Sequence, residues 1–217
     1  MPRKAINIYN LYKAKFKILE LDEPWRTLIG AAEQTGTWMV YGPPKNGKTR
    51  FCMDLVKMMT KFSRTIYDSV EEGLSATIRN AANGVRMEEV GTRFLLGDKW
   101  TIPELVEVLK KKHSPNFIVI DSVQFADLKF SEYKVLKETF PNKIFCYISH
   151  IQGREPDGQV AKRIWRDSNV IFRVEGFRAF PTTRYGGEGY YDIWPEKAEA
   201  YWGVGGGAAN GQLTINK

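Results

Sequence analysis

Residues 40–49 read Val-Tyr-Gly-Pro-Pro-Lys-Asn-Gly-Lys-Thr, a G-x-x-x-x-G-K-T motif that directly follows an apolar run. This spacing is typical of a phosphate-binding loop (P-loop), because its glycines let backbone N–H groups turn toward a phosphate. We expect Lys48 to reach the β- and γ-phosphates and the Thr49 hydroxyl to bind Mg²⁺. The motif thus predicts a nucleoside triphosphate site formed by Gly42, Pro43, Pro44, Lys45, Asn46, Gly47, Lys48, Thr49 and Arg50.

Length and composition favour one cytoplasmic α/β domain. The chain has 217 residues, of which 43% are hydrophobic, and this is enough for a buried core. No apolar run approaches the roughly 20 residues of a membrane-spanning helix, and the first residues do not resemble a secretory signal. Cys52 and Cys146 lie in helix-like and strand-like segments, so we interpret them as free core thiols.

Positive charge is concentrated near the beginning of the chain. Thirty-two Lys and Arg against 25 Asp and Glu give a net charge of +7. Five of the basic residues precede the first acid, Glu20: Arg3, Lys4, Lys13, Lys15 and Lys17. Residues 1–24 are therefore a basic arm or linker, either simply solvated or in contact with a phosphate backbone or a partner. At the other end, residues 203–217 are predicted to form a flexible glycine-rich tail.

The intervening residues, 25–202, have the pattern of a doubly wound α/β domain with a mostly parallel sheet. Apolar strand-like runs at 37–41, 65–70, 93–96, 117–121 and 143–149 alternate with helical patterns at 48–62, 74–82, 101–112 and 131–140. Residues 153–162 are polar and are predicted to be a mobile loop. Three further strand-like runs, at 170–174, 177–180 and 190–194, indicate a C-terminal β-hairpin extension at the sheet edge.

Carboxylates follow two of the predicted strands. Asp121 ends a nearly continuous apolar run, as expected for a central strand whose last residue faces the P-loop and helps to hold Mg²⁺. Glu71 and Glu72 follow the second strand. One of them, Glu71 ahead of Glu72, is a candidate base for activating water, although both could instead be favourable charges at the start of the next helix.

His150 follows the fifth predicted strand. Its position at the same sheet edge makes it a candidate sensor that donates a hydrogen bond to the γ-phosphate and acts on the loop after it. The alternative is a purely structural histidine.

The ordered set GPPKNGKT, SVEEG, FIVIDS, YISH and RYGGEGYYDIW resembles the RecA-like ATPases, most nearly the RadA/Sms and DnaB-type replicative helicase branch. The resemblance covers about residues 25–195. It implies that Glu71 is the catalytic glutamate, Asp121 the Walker B aspartate and His150 the sensor. It further implies that Arg184 is an arginine finger reaching the γ-phosphate of a neighbouring subunit, next to hairpin glycines at Gly186 and Gly189.

Two departures from this family affect the expected function. Thr182 stands where the family usually has a lysine, so Arg184 would act as the only finger. The motifs cover a motor core without the additional domains of replicative helicases or RadA/Sms. We therefore expect a stand-alone motor domain of phage or mobile-element type.

The resemblance implies an ATP-hydrolysing core that uses Mg²⁺ and acts in DNA replication, recombination or repair. Its expected partners are single-stranded DNA, contacted by residues 151–162, and further copies of the chain in a homo-oligomer. Two alternatives stay open: a KaiC-like regulatory or scaffolding ATPase that binds no DNA, and a P-loop kinase of small molecules.

Overall fold

The computed structural model describes residues 5–203. Arg3, Lys4 and the predicted tail beyond Gly203 lie outside the described residues. None of the helices in the described range is long and apolar enough to cross a bilayer. These helices are α1 (Ile8–Lys13), α2 (Trp25–Ile29), α3 (Lys48–Met59), α4 (Ala76–Gly84), α5 (Ile102–Lys110), α6 (Phe130–Thr139), α7 (Gln159–Asp167) and α8 (Pro195–Trp202), with a 3-10 helix at Met87–Arg93.

One sheet of eight strands forms the centre of the domain. Its strands lie in the order β10-β9-β8-β1-β5-β4-β2-β3. A separate two-stranded hairpin is formed by β6 and β7. The strands are β1 (Gly36–Tyr41), β2 (Thr65–Ser69), β3 (Phe94–Asp98), β4 (Phe117–Asp121), β5 (Ile144–Ser149), β6 (Ile151–Gln152), β7 (Glu155–Pro156), β8 (Val170–Glu175), β9 (Arg178–Thr183) and β10 (Tyr191–Asp192).

The predicted doubly wound α/β fold is confirmed. Strands β1 to β5 and β8 pair in parallel, whereas β9 and β10 run antiparallel to their neighbours and form the predicted extension. Alternate residues of β1 enter different cores: Trp38 and Val40 pack in the cluster that contains α3, and Met39 and Tyr41 pack in the cluster that contains α5, α6 and α7. Helices therefore cover both faces, as expected for parallel strands with buried residues on each side.

The prediction of a loop over residues 153–162 is wrong. The segment contains the turn and second strand of the β6–β7 hairpin, and then the first residues of α7. The helix forms because Ala161 and Ile164 are fully buried against the sheet while the rest of its surface is polar. Only one of these two residues lies in the predicted loop, so its polar composition concealed the start of the helix.

Part of the predicted N-terminal arm, residues 1–24, packs on the domain. Leu19 and Leu21 are buried in the core, and Ile18 forms a β-bridge with Glu33. By contrast, α1 has no buried residue. Packing against the domain therefore begins within the segment assigned to the arm, before residue 25.

Asp68 is a buried acid within β2. Its side chain accepts a hydrogen bond from the Trp100 N–H through Oδ1 (3.2 Å), while Oδ2 has no hydrogen-bond partner. Burial raises the pKa of Asp68 to about 6. Because this exceeds the pKa of 3.8 for an unperturbed aspartate, the folded chain binds the proton more tightly than the unfolded chain. The group therefore lowers stability as the pH rises from the lower to the higher value.

Replacing Asp68 by Asn removes this titration and keeps an oxygen that can accept from Trp100. We expect the free energy of unfolding of Asp68→Asn, relative to the natural chain, to rise by about 1–3 kcal/mol between about pH 4 and about pH 7. Urea unfolding at both pH values measures the change, with the exposed Asp127→Asn as control. A difference that does not vary with pH would contradict the expectation.

Candidate functional site

The carboxyl ends of β1, β5, β4 and β2 are adjacent at one edge of the sheet. Because all four strands run in the same direction, this edge brings together the P-loop after β1, His150 after β5, Asp121 at the end of β4 and Glu71 after β2. A crevice of this kind is where ligands bind in open α/β sheets.

The P-loop is held in shape by the end of β8. A Cβ atom at Gly42 would lie 1.9 Å from the carbonyl oxygen of Val174, so only glycine fits there. Gly47 has a left-handed φ of 96°, which glycine adopts without strain. Asn46 accepts a hydrogen bond from the Gly176 N–H at 2.6 Å. The loop conformation therefore depends on a strand that is distant from it in sequence.

Lys48 folds back over this loop. Its Nζ donates hydrogen bonds to the carbonyl oxygens of Gly42 and Pro43, each at 2.8 Å. Burial lowers the pKa of Lys48, and the nearby Asp121 opposes that shift. The ammonium group is thus held where a phosphate oxygen could replace the carbonyls as its partner.

Tyr67 connects the two residues predicted to hold Mg²⁺. Its hydroxyl donates a short hydrogen bond to Asp121 Oδ2 and is hydrogen-bonded to Thr49. Burial raises the pKa of Asp121 to about 6, and the bond from Tyr67 opposes this shift. Sequence reasoning missed Tyr67, because a tyrosine inside an apolar strand is indistinguishable from an ordinary core residue until its hydroxyl has a partner.

These residues fit Mg²⁺ bound together with a triphosphate. No group of three or more His, Cys, Asp or Glu side chains suited to a metal occurs among residues 5–203. Mg²⁺ commonly keeps several waters and takes only one or two protein ligands beside phosphate oxygens. One hydroxyl at Thr49 and one carboxylate at Asp121 are a set of that size.

Glu71 and His150 face each other across the edge. Glu71 Oε2 lies 3.3 Å from His150 Nε2 and accepts a 3.5 Å hydrogen bond from the Ser122 hydroxyl. The Glu71 N–H donates to the Asp121 carbonyl at 2.9 Å, which ties the ends of β2 and β4 together. His150 Nε2 is buried without a hydrogen-bond partner. A phosphate oxygen or a water between the two side chains would supply that partner.

Two other residues predicted near the nucleotide have side chains directed elsewhere. Glu72 accepts a hydrogen bond from the Ser75 hydroxyl at 3.0 Å, close to the start of α4. Arg50 donates to the Gly84 carbonyl at 2.6 Å, at the far end of the same helix. Both therefore act on α4 in this structure.

Arg184 lies at the opposite edge of the sheet. Its N–H donates to the Asn169 carbonyl, and the Asn169 N–H donates to the Thr37 carbonyl near the start of β1. Because the P-loop follows the end of β1, the two positions are separated by about 16 Å of extended strand. The exposed Arg184 is not brought to the nucleotide site of its own chain. The predicted hairpin glycines Gly186 and Gly189 both have positive φ values, 80° and 81°.

Gln124 is a second residue that sequence reasoning missed. Its amide donates to the Ser149 hydroxyl at 2.9 Å and to the Asp157 carbonyl at 2.8 Å, and its oxygen accepts from the His150 N–H at 3.3 Å. Gln124 thereby fixes the backbone of His150 and joins it to the end of the β6–β7 hairpin. Its position three residues after Asp121, at the active edge of a parallel sheet, was the available sequence signal.

Comparison with known proteins supports the fold. No protein-family model and no curated protein sequence matches the chain. Among solved structures, the ATPase domain of a DnaB-type helicase is similar with a TM-score of 0.54 at 12% identity, covering 77% of this chain and 84% of that one. The flagellar accessory protein FlaH from Methanocaldococcus jannaschii is similar with a TM-score of 0.56 at 14% identity, covering 82% and 92%. The predicted RecA-like P-loop ATPase fold is thus confirmed.

The bonds of Gln124 give a test of the geometry around His150. In Gln124→Glu, a carboxylate oxygen would face the Asp157 carbonyl in place of the donating amide. We expect the kcat of ATP hydrolysis to fall about tenfold while the KM for ATP changes less than about twofold, because a lost buried hydrogen bond costs about 1–3 kcal/mol and the P-loop is untouched.

Steady-state ATPase kinetics provide the measurement. Gln159→Glu is the matched control, because it makes the same chemical change at an exposed residue of α7. Equal kcat values for the two variants would show that Gln124 has no positioning role.

Proposed function

We propose that this chain binds ATP with Mg²⁺ and hydrolyses it at the edge formed by β1, β5, β4 and β2. The observation that carries the proposal is the pairing of Glu71 with His150, whose buried Nε2 has no hydrogen-bond partner. The pair lies at the same sheet edge as the phosphate-binding loop. A site for binding alone needs the loop and Lys48, whereas hydrolysis also needs a carboxylate to accept a proton from water.

Each side chain has a distinct role in the proposed reaction. Lys48 leaves the loop carbonyls and neutralises phosphate charge. Thr49 and Asp121 hold Mg²⁺, which supplies further charge neutralisation when bound. Glu71 orients the attacking water and takes its proton, and His150 donates a hydrogen bond to the γ-phosphate. Glu71 is favoured over Glu72 as the base because Glu72 is engaged by Ser75.

The proposed site is completed by a second copy of the chain. Arg184 is too distant from its own P-loop to stabilise charge there, yet it is exposed at the opposite edge. An interface in which this edge of one copy meets the nucleotide edge of the next is heterologous and generates a ring or filament. In such an oligomer, Arg184 acts on the γ-phosphate of the neighbour.

We further propose that the hydrolysis is coupled to single-stranded DNA. The net charge of +7 supports this coupling, since phosphate contacts need a surplus of Lys and Arg. The connection from His150 through Gln124 to the β6–β7 hairpin supplies a path from the nucleotide to the surface. A motor core for DNA replication, recombination or repair is the corresponding biological role.

A regulatory or scaffolding ATPase of the KaiC-like kind is the second candidate. It is favoured by the likeness to FlaH, a flagellar accessory protein by its printed name. In this case the nucleotide would control assembly, and DNA would have no effect on hydrolysis.

Single-stranded DNA distinguishes these candidates. If the chain is a DNA-coupled motor, oligodeoxythymidine should stimulate ATP hydrolysis about tenfold or more, by ordering His150 and Glu71 for reaction. ATPase rates with and without the oligonucleotide provide the measurement, with heparin as a polyanion control. Assembly that depends on ATP, together with a rate that DNA leaves unchanged, would favour the regulatory candidate.

Sharing of the site between copies can be tested by mixing two inactive variants. Glu71→Gln lacks the base and Arg184→Ala lacks the finger, so each alone should lose about 10³ in turnover. In a mixed oligomer, about a quarter of the interfaces combine an intact Glu71 with an intact Arg184 from the neighbour. We therefore expect ATPase activity to return on mixing.

Glu72→Gln and Arg79→Ala are the matched controls, and both should hydrolyse ATP at nearly the natural rate. A mixture that stays as inactive as its components would exclude a role for Arg184 in a neighbouring site.

A further inference from the structure

A cavity of about 400 Å³ opens beside the nucleotide edge, between the segment after β3 and the segment after β4. Two aromatic rings line it, Trp100 and Phe125, and two lysines, Lys99 and Lys129. The Phe125 side chain is 56% exposed, although a ring of this size is usually covered in a folded domain. The cavity is distinct from the P-loop and from the predicted DNA-contacting segment, residues 151–162.

The two lysines are available to a ligand. Within residues 5–203, neither ammonium group takes part in a salt bridge, a hydrogen bond or a contact with an aromatic ring. Two acids also line the cavity, Asp127 and Glu132. The Glu132 carboxylate is already engaged, because it accepts a hydrogen bond from the Lys129 N–H at 2.8 Å.

The predicted DNA-contacting segment has fewer free cations than its sequence implies. Lys162 forms a 2.9 Å salt bridge with Glu155. Arg163, in the next turn of α7, stacks over the Phe130 ring with its guanidinium carbon 4.1 Å from the ring centroid. Arg154 remains exposed, but no exposed aromatic side chain lies beside it in residues 151–162.

We propose that the cavity binds one nucleotide unit of a single-stranded nucleic acid, with its base against Trp100 and Phe125 and its phosphate on Lys99 and Lys129. Aromatic faces that stack bases, beside cations that hold the backbone, are the usual means of binding single strands without reading sequence. The proposal rests on the nucleic-acid coupling proposed above and specifies the surface that provides it.

Both walls of the cavity touch elements that carry the hydrolytic residues. A Cβ atom at Gly73 would lie 2.7 Å from Lys99 Cε, so Lys99 packs on the turn that contains Glu71. Phe125 packs beside His150, with the ring centroids 6.0 Å apart. A strand in the cavity therefore restricts the motion of both side chains, which is how it stimulates hydrolysis.

The test measures binding of fluorescein-labelled oligodeoxythymidine by anisotropy, over a range of salt concentrations and with a non-hydrolysable ATP analogue present. Phe125→Leu should weaken binding about tenfold, because one stacking contact is lost. Lys99→Gln/Lys129→Gln should reduce the slope of log K against log salt by about 1.4, or about 0.7 for each phosphate contact. Both variants should keep the basal ATPase rate and lose its stimulation.

Lys111→Gln/Lys112→Gln is the matched control, because it removes two exposed positive charges at the other end of α5. If the cavity variants bind the oligonucleotide like this control, the cavity is not the site, although the nucleic-acid function stands. Loss of binding in Arg154→Gln alone would place the site on the hairpin instead. If the natural chain binds no oligonucleotide, the proposed nucleic-acid function itself is wrong.

Thymidine monophosphate in excess distinguishes a strand from a free nucleotide. We expect it to compete weakly, since it makes one stacking contact and lacks the neighbouring phosphates. Full displacement at a concentration equal to that of nucleotide units in the oligonucleotide would show that the cavity takes a free nucleotide and would overturn the proposal.

Discussion

The parallel pairing of β1, β5, β4 and β2 is the constraint on which the rest of the structure depends. A parallel sheet places the carboxyl ends of its strands at one edge, and helices must then return the chain over both faces. The apolar runs that bury these strands thereby also determine where the polar residues after each strand meet. Burial of the core and assembly of the candidate site are consequences of the same register.

At that edge, buried polar groups are connected to one another. Tyr67 joins Thr49 to Asp121, Glu71 is joined to Asp121 through the backbone, and Gln124 holds His150. An unpartnered polar group in such a place is costly, so these bonds restrict the side chains to one arrangement. His150 Nε2 is an exception, since it is buried without a partner. Such an atom marks the position where a ligand would complete the network.

The two edges of the sheet have different consequences for function. One edge contains the P-loop and the acids, and the other contains Arg184, separated by the length of β1. A single copy cannot bring the two together, because the strand between them is rigid and fully paired. In the proposed oligomer, hydrolysis is therefore a property of the interface, and motion between copies is linked to the state of the nucleotide. The cavity beside Phe125 would add a third point of contact, from the nucleic acid.

The sequence by itself determined the P-loop, the alternation of strands and helices and the antiparallel extension, because glycine spacing and apolar periodicity are local properties of a chain. It also placed Asp121, Glu71 and His150 at strand ends, from which a common edge follows. Only the tertiary structure decided which way the side chains point: Glu71 faces His150, whereas Glu72 and Arg50 turn to α4. The roles of Tyr67 and Gln124, and the start of α7 within an apparently loop-like segment, also depend on partners far away in the chain. No local pattern encodes those partners, since sheet order and packing bring them into contact.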